Sequence, residues 1–200
     1  MQIIGHRLYE DDTTAYPFVS SPNKGGRIEP KYLVIHYTAM HDADTAISRL
    51  SDPAVGVSAH LLIDRAGNIT QMVPFDAGAR HAGKSNWEGE SNLNGCSIGI
   101  ELDNAGRLER KNGQWQSWFG KNYDATEVLE ATHKNEVGPA GWHVYTPVQI
   151  EATLRVARLL VQTLGLVEVL GHDEISPGRK WDPGPAFPME SFRIQVYKES

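Results

Sequence analysis

Three side chains that zinc can bind lie in two distant segments of the sequence: His36 in the first, and His172 and Asp182 in the second. Imidazole nitrogen and carboxylate oxygen are both zinc ligands, and three protein ligands leave one position of a tetrahedral site open. Water or substrate takes that position in catalytic zinc sites, whereas structural sites are closed. The residue types therefore predict a catalytic zinc site, although the same ligand set also suits other divalent ions.

Two apolar runs are expected to position the histidines. Residues 32–37 predict a strand that is buried on both faces, and His36 lies near its end. Residues 166–170 predict a short strand that leads to His172, and Asp182 follows in a loop rich in proline and glycine. The proline after Asp182 favours an extended backbone, which can direct the carboxylate across the loop. An ordinary Asx-turn is the alternative role for this aspartate.

The rest of the pattern alternates strands and helices. It predicts a strand at residues 97–102, a helix over 43–50, a hairpin of strands 59–64 and 68–73, and a last short helix over 189–198.

A longer helix is predicted to begin after Thr146, where Thr146 is the N-cap, Pro147 fits the first turn and Gln149 completes a capping box. Gly165 is the expected end of this helix. The fold class predicted is α/β.

Two segments do not follow this alternation. Residues 1–30 are largely polar and rich in turn formers, which predicts an arm packed on the domain. Residues 104–145 place several aromatic side chains among glycine, asparagine and charged residues, which predicts a long insertion rather than regular core. The chain as a whole, residues 1–200, is expected to form a single catalytic domain and a monomer.

Composition excludes several classes of protein. The 200 residues are 40% hydrophobic and carry a formal charge of −6, which argues against a nucleic-acid-binding surface. Cys96 is the only cysteine, so an intramolecular disulfide and a cysteine-rich zinc site are excluded. No apolar run is long enough to span a membrane, and the first residues do not resemble a signal peptide. We therefore expect cytoplasmic synthesis, with release to the cell wall or periplasm by another route as an alternative.

Several short motifs occur together and in a fixed order, and their joint presence resembles the zinc-dependent N-acetylmuramoyl-L-alanine amidases. This is the bacterial type-2 amidase family, which is related to peptidoglycan recognition proteins. The motifs are Val34-Ile-His-Tyr-Thr38, Ser58-Ala-His60, Ala79-Arg-His-Ala-Gly83, Ser97-Ile-Gly-Ile-Glu101, Gly171-His172 and Ser176-Pro-Gly-Arg-Lys-Trp-Asp-Pro-Gly-Pro185. The resemblance covers residues 32–103 and 146–192 and is greatest to the branch that cleaves anhydro-muropeptides. It implies a central mixed β-sheet flanked by helices.

The resemblance also implies a reaction and roles for individual residues. The reaction is hydrolysis of the amide between N-acetylmuramic acid, or its anhydro form, and L-alanine of peptidoglycan stem peptides. The zinc ligands would be His36, His172 and Asp182. Glu101 would be the general base and Lys180 would stabilise the oxyanion. The alternatives are a surface salt bridge for Glu101 and a solvated side chain for Lys180.

Four residues are predicted to contact the muropeptide or peptidoglycan substrate: Tyr37, His81, Ala82 and Arg179. Local packing is the alternative for His81, and pairing with a carboxylate is the alternative for Arg179. His60 is expected to be a buried, hydrogen-bonded histidine. The family members of the phage-lysozyme type carry a catalytic tyrosine at the position of Ala59, so the base role here depends on Glu101.

Tryptophans in two segments have alternative roles. Trp87, Trp115 and Trp118 either stack on sugar rings or hold their own loops in place. The remaining histidines, at positions 6, 41, 133 and 143, belong to no motif and are expected at the surface, in the arm or in the insertion.

Two other functions compete with the amidase. A peptidoglycan-binding module of the same fold without catalysis is one, but the complete set of ligands and catalytic candidates disfavours it. A different zinc hydrolase is the other, although the helical His-Glu-x-x-His signature of many zinc peptidases is absent.

Overall fold

The structure is a computed structural model in which residues 1–198 are described. The strands are β1 (Gln2–Ile4), β2 (Arg7–Tyr9), β3 (Lys24–Arg27), β4 (Tyr32–Tyr37), β5 (Leu61–Ile63), β6 (Ile69–Gln71), β7 (Ala77–Ala79), β8 (Asn86–Trp87), β9 (Glu90–Ser91), β10 (Ser97–Leu102), β11 (Arg107–Lys111), β12 (Gln114–Gln116), β13 (Asn122–Tyr123), β14 (Val128–Thr132), β15 (Pro139–His143) and β16 (Glu168–Gly171). The helices are α1 (Ala43–Ser51), α2 (Pro147–Leu164), α3 (His172–Ile175) and α4 (Met189–Tyr197).

A mixed sheet of five strands carries the fold, in the order β16-β4-β10-β5-β6. Strands β16, β4, β10 and β5 are parallel, and β6 forms the predicted hairpin with β5. The α/β class, the mixed sheet and its flanking helices are therefore confirmed. The predicted helices near residues 43–50 and 189–198 are also confirmed, as α1 and α4.

The two faces of the sheet differ in chemistry because side chains alternate along each strand. Leu33 and Ile35 of β4, together with Ile98 and Ile100 of β10, join one apolar core with side chains of α2 and α4. The intervening residues point to the opposite face, and β4 and β10 pair in a register that sets Glu101 beside His36. The sheet thus presents polar, chemically active side chains on the face opposite α2.

Helix α2 begins and ends as its sequence predicts. The Thr146 hydroxyl accepts from the Gln149 backbone N–H at 3.1 Å, and Gly165 ends the helix with a φ of 68°. The predicted capping box is wrong, because the Gln149 side chain does not turn back to Thr146. Its buried amide instead donates to the carbonyl oxygens of Ile63 and Asp103, at 3.0 and 3.1 Å, which need partners inside the core.

The segment 104–145 is regular structure, contrary to the expectation from its sequence. It forms an antiparallel five-stranded sheet in the order β13-β12-β11-β15-β14, which we call the second sheet. Its small core is built on Ala105, Leu108 and Tyr123. The sequence does not reveal this sheet, because its strands are short and contain few apolar residues. His133 and His143, which had no assigned role, are both buried in this segment.

The arm at residues 1–30 contributes strands of its own. β1 pairs with β2, and β3 pairs with β7, so the arm is tied to the domain by backbone hydrogen bonds. Leu8 is fully buried in the main core. Among residues 1–198, no helix has both the length and the apolar character needed to cross a bilayer.

Candidate active site

The three predicted metal ligands come together at one end of the parallel strands. His36 lies near the end of β4, and His172 directly follows β16, the neighbouring strand. Nδ1 of His36 lies 2.9 Å from Nδ1 of His172. Oδ2 of Asp182 lies 2.8 Å from the first nitrogen and 2.9 Å from the second. All three side chains are buried, so the fold concentrates three electron-pair donors at one point.

This donor set fits a divalent metal ion. Ligands on a tetrahedral ion at about 2.0–2.2 Å would lie roughly 3.3 Å apart, so a small outward movement of the three atoms makes room for it. Burial and the neighbouring His172 lower the pKa of His36 to about 4, so its ring is neutral near pH 7 and offers a lone pair. Burial raises the pKa of Asp182, but the two histidines outweigh burial and hold it below its ordinary value. The carboxylate is therefore ionised and can bind a cation.

The outer nitrogen of His172 is fixed by the backbone. Its Nε2–H donates to the carbonyl oxygen of Ala82 at 3.0 Å, which leaves Nδ1 free for a metal. Arg179 holds the same segment, because its guanidinium donates to the carbonyl oxygens of Ala82 and Lys84 and to the Ser176 hydroxyl. Its Nη2 also lies 3.3 Å from Nε2 of His172, and it has no carboxylate partner among residues 1–198, so Arg179 positions the loop around His172.

The outer nitrogen of His36 is fixed by a chain of side chains. Nε2 of His36 lies 2.9 Å from Nδ1 of His81, and Nε2 of His81 lies 3.3 Å from the Ser97 hydroxyl. That hydroxyl donates to the carbonyl oxygen of Leu93 at 2.6 Å, so it accepts from His81. His81 must then accept from His36, which leaves Nδ1 of His36 unprotonated. Sequence reasoning missed Ser97, which sits in a recognised motif but bears no metal-binding chemistry itself.

His81 therefore contacts the predicted metal ligand His36 and also borders the cleft. Burial and the neighbouring His36 and His60 lower the pKa of His81 well below its ordinary value, consistent with a neutral ring that donates and accepts. The ring packs directly on Gly99, where an added Cβ would lie 2.4 Å from Cγ of His81. His60 is buried and hydrogen-bonded, as expected, through Ala77 and Gly99.

The Glu101 side chain is half-buried, and its Oε2 is shielded from solvent without a hydrogen-bond partner among the described residues. It pairs in register with His36, so its side chain lies on the same face of the sheet. Burial, and to a smaller degree the charge of Asp182, raises the pKa of Glu101 to about 8. Lys180 borders the same cleft. The structure thus places the acid–base candidate and the cationic candidate around the ligand triad.

The loop that bears Asp182 is supported by residues that the sequence did not single out. The backbone N–H of Asp173 donates to the carbonyl oxygen of Asp182 at 2.8 Å. His133, which directly follows β14 of the second sheet, lies with Nε2 3.0 Å from Oδ2 of Asp173. Trp142 of the same sheet covers Gly184, where a Cβ would lie 2.7 Å from the indole. In the sequence, His133 and Trp142 lie in a segment without a regular pattern, and nothing there indicates that they contact the loop of Asp182.

An open cleft of about 670 Å³ lies over the site. Its floor includes the metal triad and Glu101, and basic side chains and two tryptophans line its walls: Arg49, Arg80, Arg107, Lys111, Arg179, Lys180, Trp118 and Trp181. A substrate with both carboxylates and apolar rings suits such a surface.

The other predicted substrate contacts differ in their access to this cleft. Tyr37 borders it and packs on Gly106. Ala82 instead buries its side chain among apolar residues, and only its carbonyl serves the site. Trp87 donates to Glu168 from a separate cluster. A substrate contact by Tyr37, His81, Ala82 or Arg179 stays a prediction.

Comparison with known proteins supports the family suggested by the motifs. The profile of the N-acetylmuramoyl-L-alanine amidase family matches residues 26–185. N-acetylmuramoyl-L-alanine amidase AmiD of Escherichia coli is 34% identical over 82% of this chain and 52% of its own length. The 1,6-anhydro-N-acetylmuramyl-L-alanine amidase AmpD of the same organism is 36% identical over 72% of this chain and 61% of its own length. The chain thus spans about half to three fifths of these relatives.

Two solved structures share the fold. An AmpD derivative superposes with a TM-score of 0.70 at 28% identity, covering 98% of this chain and 99% of that one. The E. coli AmiD complex with the substrate anhydro-N-acetylmuramic acid-L-Ala-D-γ-Glu-L-Lys gives 0.64 at 31% identity, covering 93% of this chain and 60% of that one. The match over most of the chain, together with the fold and the ligand triad, shows that this chain belongs to the N-acetylmuramoyl-L-alanine amidase family, Amidase_2.

Proposed function

We propose that this protein is a zinc-dependent amidase that hydrolyses the bond between N-acetylmuramic acid, or its anhydro form, and L-alanine of a peptidoglycan stem peptide. The observation that carries the proposal is the convergence of His36, His172 and Asp182 beside the solvent-shielded Oε2 of Glu101 in one open cleft. The names of the relatives AmiD and AmpD support the same reaction.

The metal would be held by the two imidazole nitrogens and the carboxylate described above. Zinc in such a site would act as a Lewis acid, which lowers the pKa of a bound water toward neutrality and polarises a carbonyl group. Two imidazoles and one carboxylate are a ligand set found in catalytic zinc sites, which is why we favour zinc among divalent ions.

Two residues of the chain would perform the proton and charge chemistry. Glu101 would take the proton of the attacking water on its unpartnered oxygen and pass it to the leaving amine of L-alanine. A nearby cation favours the carboxylate form of an acid. A metal ion in the site would therefore lower the raised pKa of Glu101 toward neutrality, the range in which a general base is effective. Lys180 would donate to the oxygen that becomes negative in the tetrahedral intermediate.

The substrate class follows from the relatives and from the charge of the cleft. Stem peptides carry carboxylates, and basic side chains line the cleft walls. The AmiD complex holds an anhydro-muropeptide, so we propose muropeptides, including anhydro forms, as substrates. The monomeric state, the single catalytic domain and cytoplasmic synthesis stay predictions.

The test is release of stem peptide by the purified, zinc-supplemented protein. Intact sacculi and anhydro-muropeptides are incubated separately, and mass spectrometry follows the free peptide. We expect release from at least one substrate, and loss of release with a chelator or in Glu101→Gln. Glu151→Gln, a matched change on the exposed face of α2, should retain release. Zinc binding without release from either substrate would overturn the amidase and favour a binding module.

A further inference from the structure

Trp118 is an exposed aromatic side chain that is nevertheless held in one orientation. It lies in the turn between β12 and β13, and 70% of its surface is exposed. Its indole N–H donates to the carbonyl oxygen of Ala39 at 2.7 Å. Phe119 packs edge-on against it with ring centroids 5.7 Å apart. These contacts hold the ring in place while most of its surface stays exposed, so aromatic surface is available to a ligand.

The other tryptophan of the cleft, Trp181, is less exposed, at 40%, and the Arg107 guanidinium lies over its ring. Two tryptophans of the second sheet do not share the exposure of Trp118. Trp142 is buried and covers Gly184, and Trp115 packs on Gly141, where a Cβ would lie 2.6 Å from its ring. Their ring faces are used by the protein itself. Trp118 therefore differs from them in offering an aromatic surface to a ligand.

Trp118 lies close to the reacting centre. It borders the same cleft as Glu101 and Lys180. Its partner Ala39 follows His36 by three residues, and three residues of extended chain span at most about 10 Å. In a muropeptide the pyranose ring is joined to the scissile amide through only the short lactyl group. A sugar ring with its amide at the metal triad would therefore lie within reach of this indole.

The chemistry of the indole face selects among the parts of such a substrate. An aromatic face carries the negative part of the ring quadrupole, so it disfavours the carboxylates of a stem peptide. A pyranose whose carboxyl group is already in amide linkage is neutral and presents C–H groups on its face, which suit an aromatic surface. The carboxylates have better partners in the arginines and lysines of the cleft walls.

We propose that Trp118 forms a sugar subsite, on which the pyranose ring of the N-acetylmuramyl group stacks during hydrolysis. The inference rests on the proposed amidase function and extends it by assigning the recognition of the sugar to a residue of the second sheet. The protein would then favour substrates that carry the carbohydrate over peptides that carry only the lactyl group.

Two substrates with the same scissile amide test the subsite. N-acetylmuramyl-L-alanyl-D-isoglutamine contains the pyranose, and D-lactoyl-L-alanyl-D-isoglutamine lacks it. In Trp118→Ala we expect kcat/KM for the first to fall about ten-fold, equivalent to about 1.4 kcal/mol, with no change for the second. Trp118→Phe, which keeps an aromatic face, should lose less. Tyr197→Ala, which removes a partly exposed aromatic side chain from α4, outside the cleft, should change neither.

The outcomes separate the subsite from simpler roles. An equal loss on both substrates would overturn the proposal and show that Trp118 only holds the loop at Ala39. No loss on either would also overturn it. If the wild-type protein hydrolyses neither compound, calorimetric titration with the same two compounds decides the subsite, while the assay on sacculi and anhydro-muropeptides separately decides the amidase function. In the titration, a preference for the muramyl compound that Trp118→Ala removes would support the subsite, and equal affinities would overturn it.

Discussion

Replacing Glu101 with glutamine should stabilise the metal-free protein at alkaline pH while it strongly slows hydrolysis. The side chain is half-buried, its Oε2 is shielded from solvent and has no hydrogen-bond partner among the described residues, and desolvation raises its pKa from 4.5 to about 8. Between these two values the unfolded chain ionises Glu101 whereas the folded protein keeps it protonated. The folded state then binds more protons, so the free energy of unfolding falls as the pH rises through this interval.

The size of the effect follows from the same interval. A difference of one pH unit in pKa corresponds to about 1.4 kcal/mol, so the loss approaches about 5 kcal/mol above pH 8 as an upper limit. Glutamine has nearly the shape of the protonated carboxyl group but cannot ionise. The free energies of unfolding of the variant and the wild type should therefore differ by a fixed amount near pH 4.5. As the pH rises above this value, the variant should gain stability relative to the wild type.

Urea unfolding of both proteins in the presence of a chelator, at intervals from pH 5 to pH 9, measures this difference. The chelator is essential, because a bound cation favours the carboxylate and removes the penalty. Glu151→Gln on α2 is the control, since its side chain is exposed and should give a difference that does not vary with pH. A gap between Glu101→Gln and the wild type that stays constant over this range would refute our account of this carboxyl group. In the same variant, kcat should fall by about 10²- to 10⁴-fold.

Three further changes test the surroundings of the site. His81→Phe removes the acceptor for His36 and should weaken zinc binding about 10- to 100-fold, measured by competition with a chromophoric chelator; unchanged affinity would contradict the positioning role. Gly99→Ala places a Cβ 2.4 Å from the His81 ring and should cost about 1–3 kcal/mol in urea unfolding, whereas Gly95→Ala, with open space around it, should cost less. Lys180→Met should lower kcat about 10²- to 10³-fold without changing zinc affinity, and an equal loss of zinc binding would argue against an oxyanion role.

The sequence predicted the central sheet well because its signals are local. The continuous apolar run of β4 and the alternation of β10 each report which faces are buried, and the register between them then sets Glu101 beside His36. The ligand triad was predicted from residue types and motif order, and its members do converge. The hydrogen-bonded chain from His36 through His81 to Ser97 was not predicted, because it joins three residues that are distant from one another in the sequence.

The second sheet shows why residues 104–145 could not be interpreted from sequence alone. Its strands are short, and its order follows from packing around a few aromatic rings rather than from an alternating apolar pattern. Glycine is needed at 141 and 184 because indole rings lie against both, a reason that only the folded chain reveals.

The same sheet contacts both halves of the candidate site. Its residue His133 meets Asp173, whose backbone N–H holds the carbonyl of the metal ligand Asp182. Its residue Trp118 meets Ala39, in the loop that directly follows the strand of His36. A segment that the sequence indicated to be an addition therefore joins the loop that bears Asp182 to the loop that follows the strand of His36. The second sheet also borders the cleft, so substitutions in this sheet can alter substrate preference while the metal ligands stay the same. Family members that share one reaction can therefore differ in specificity through this sheet.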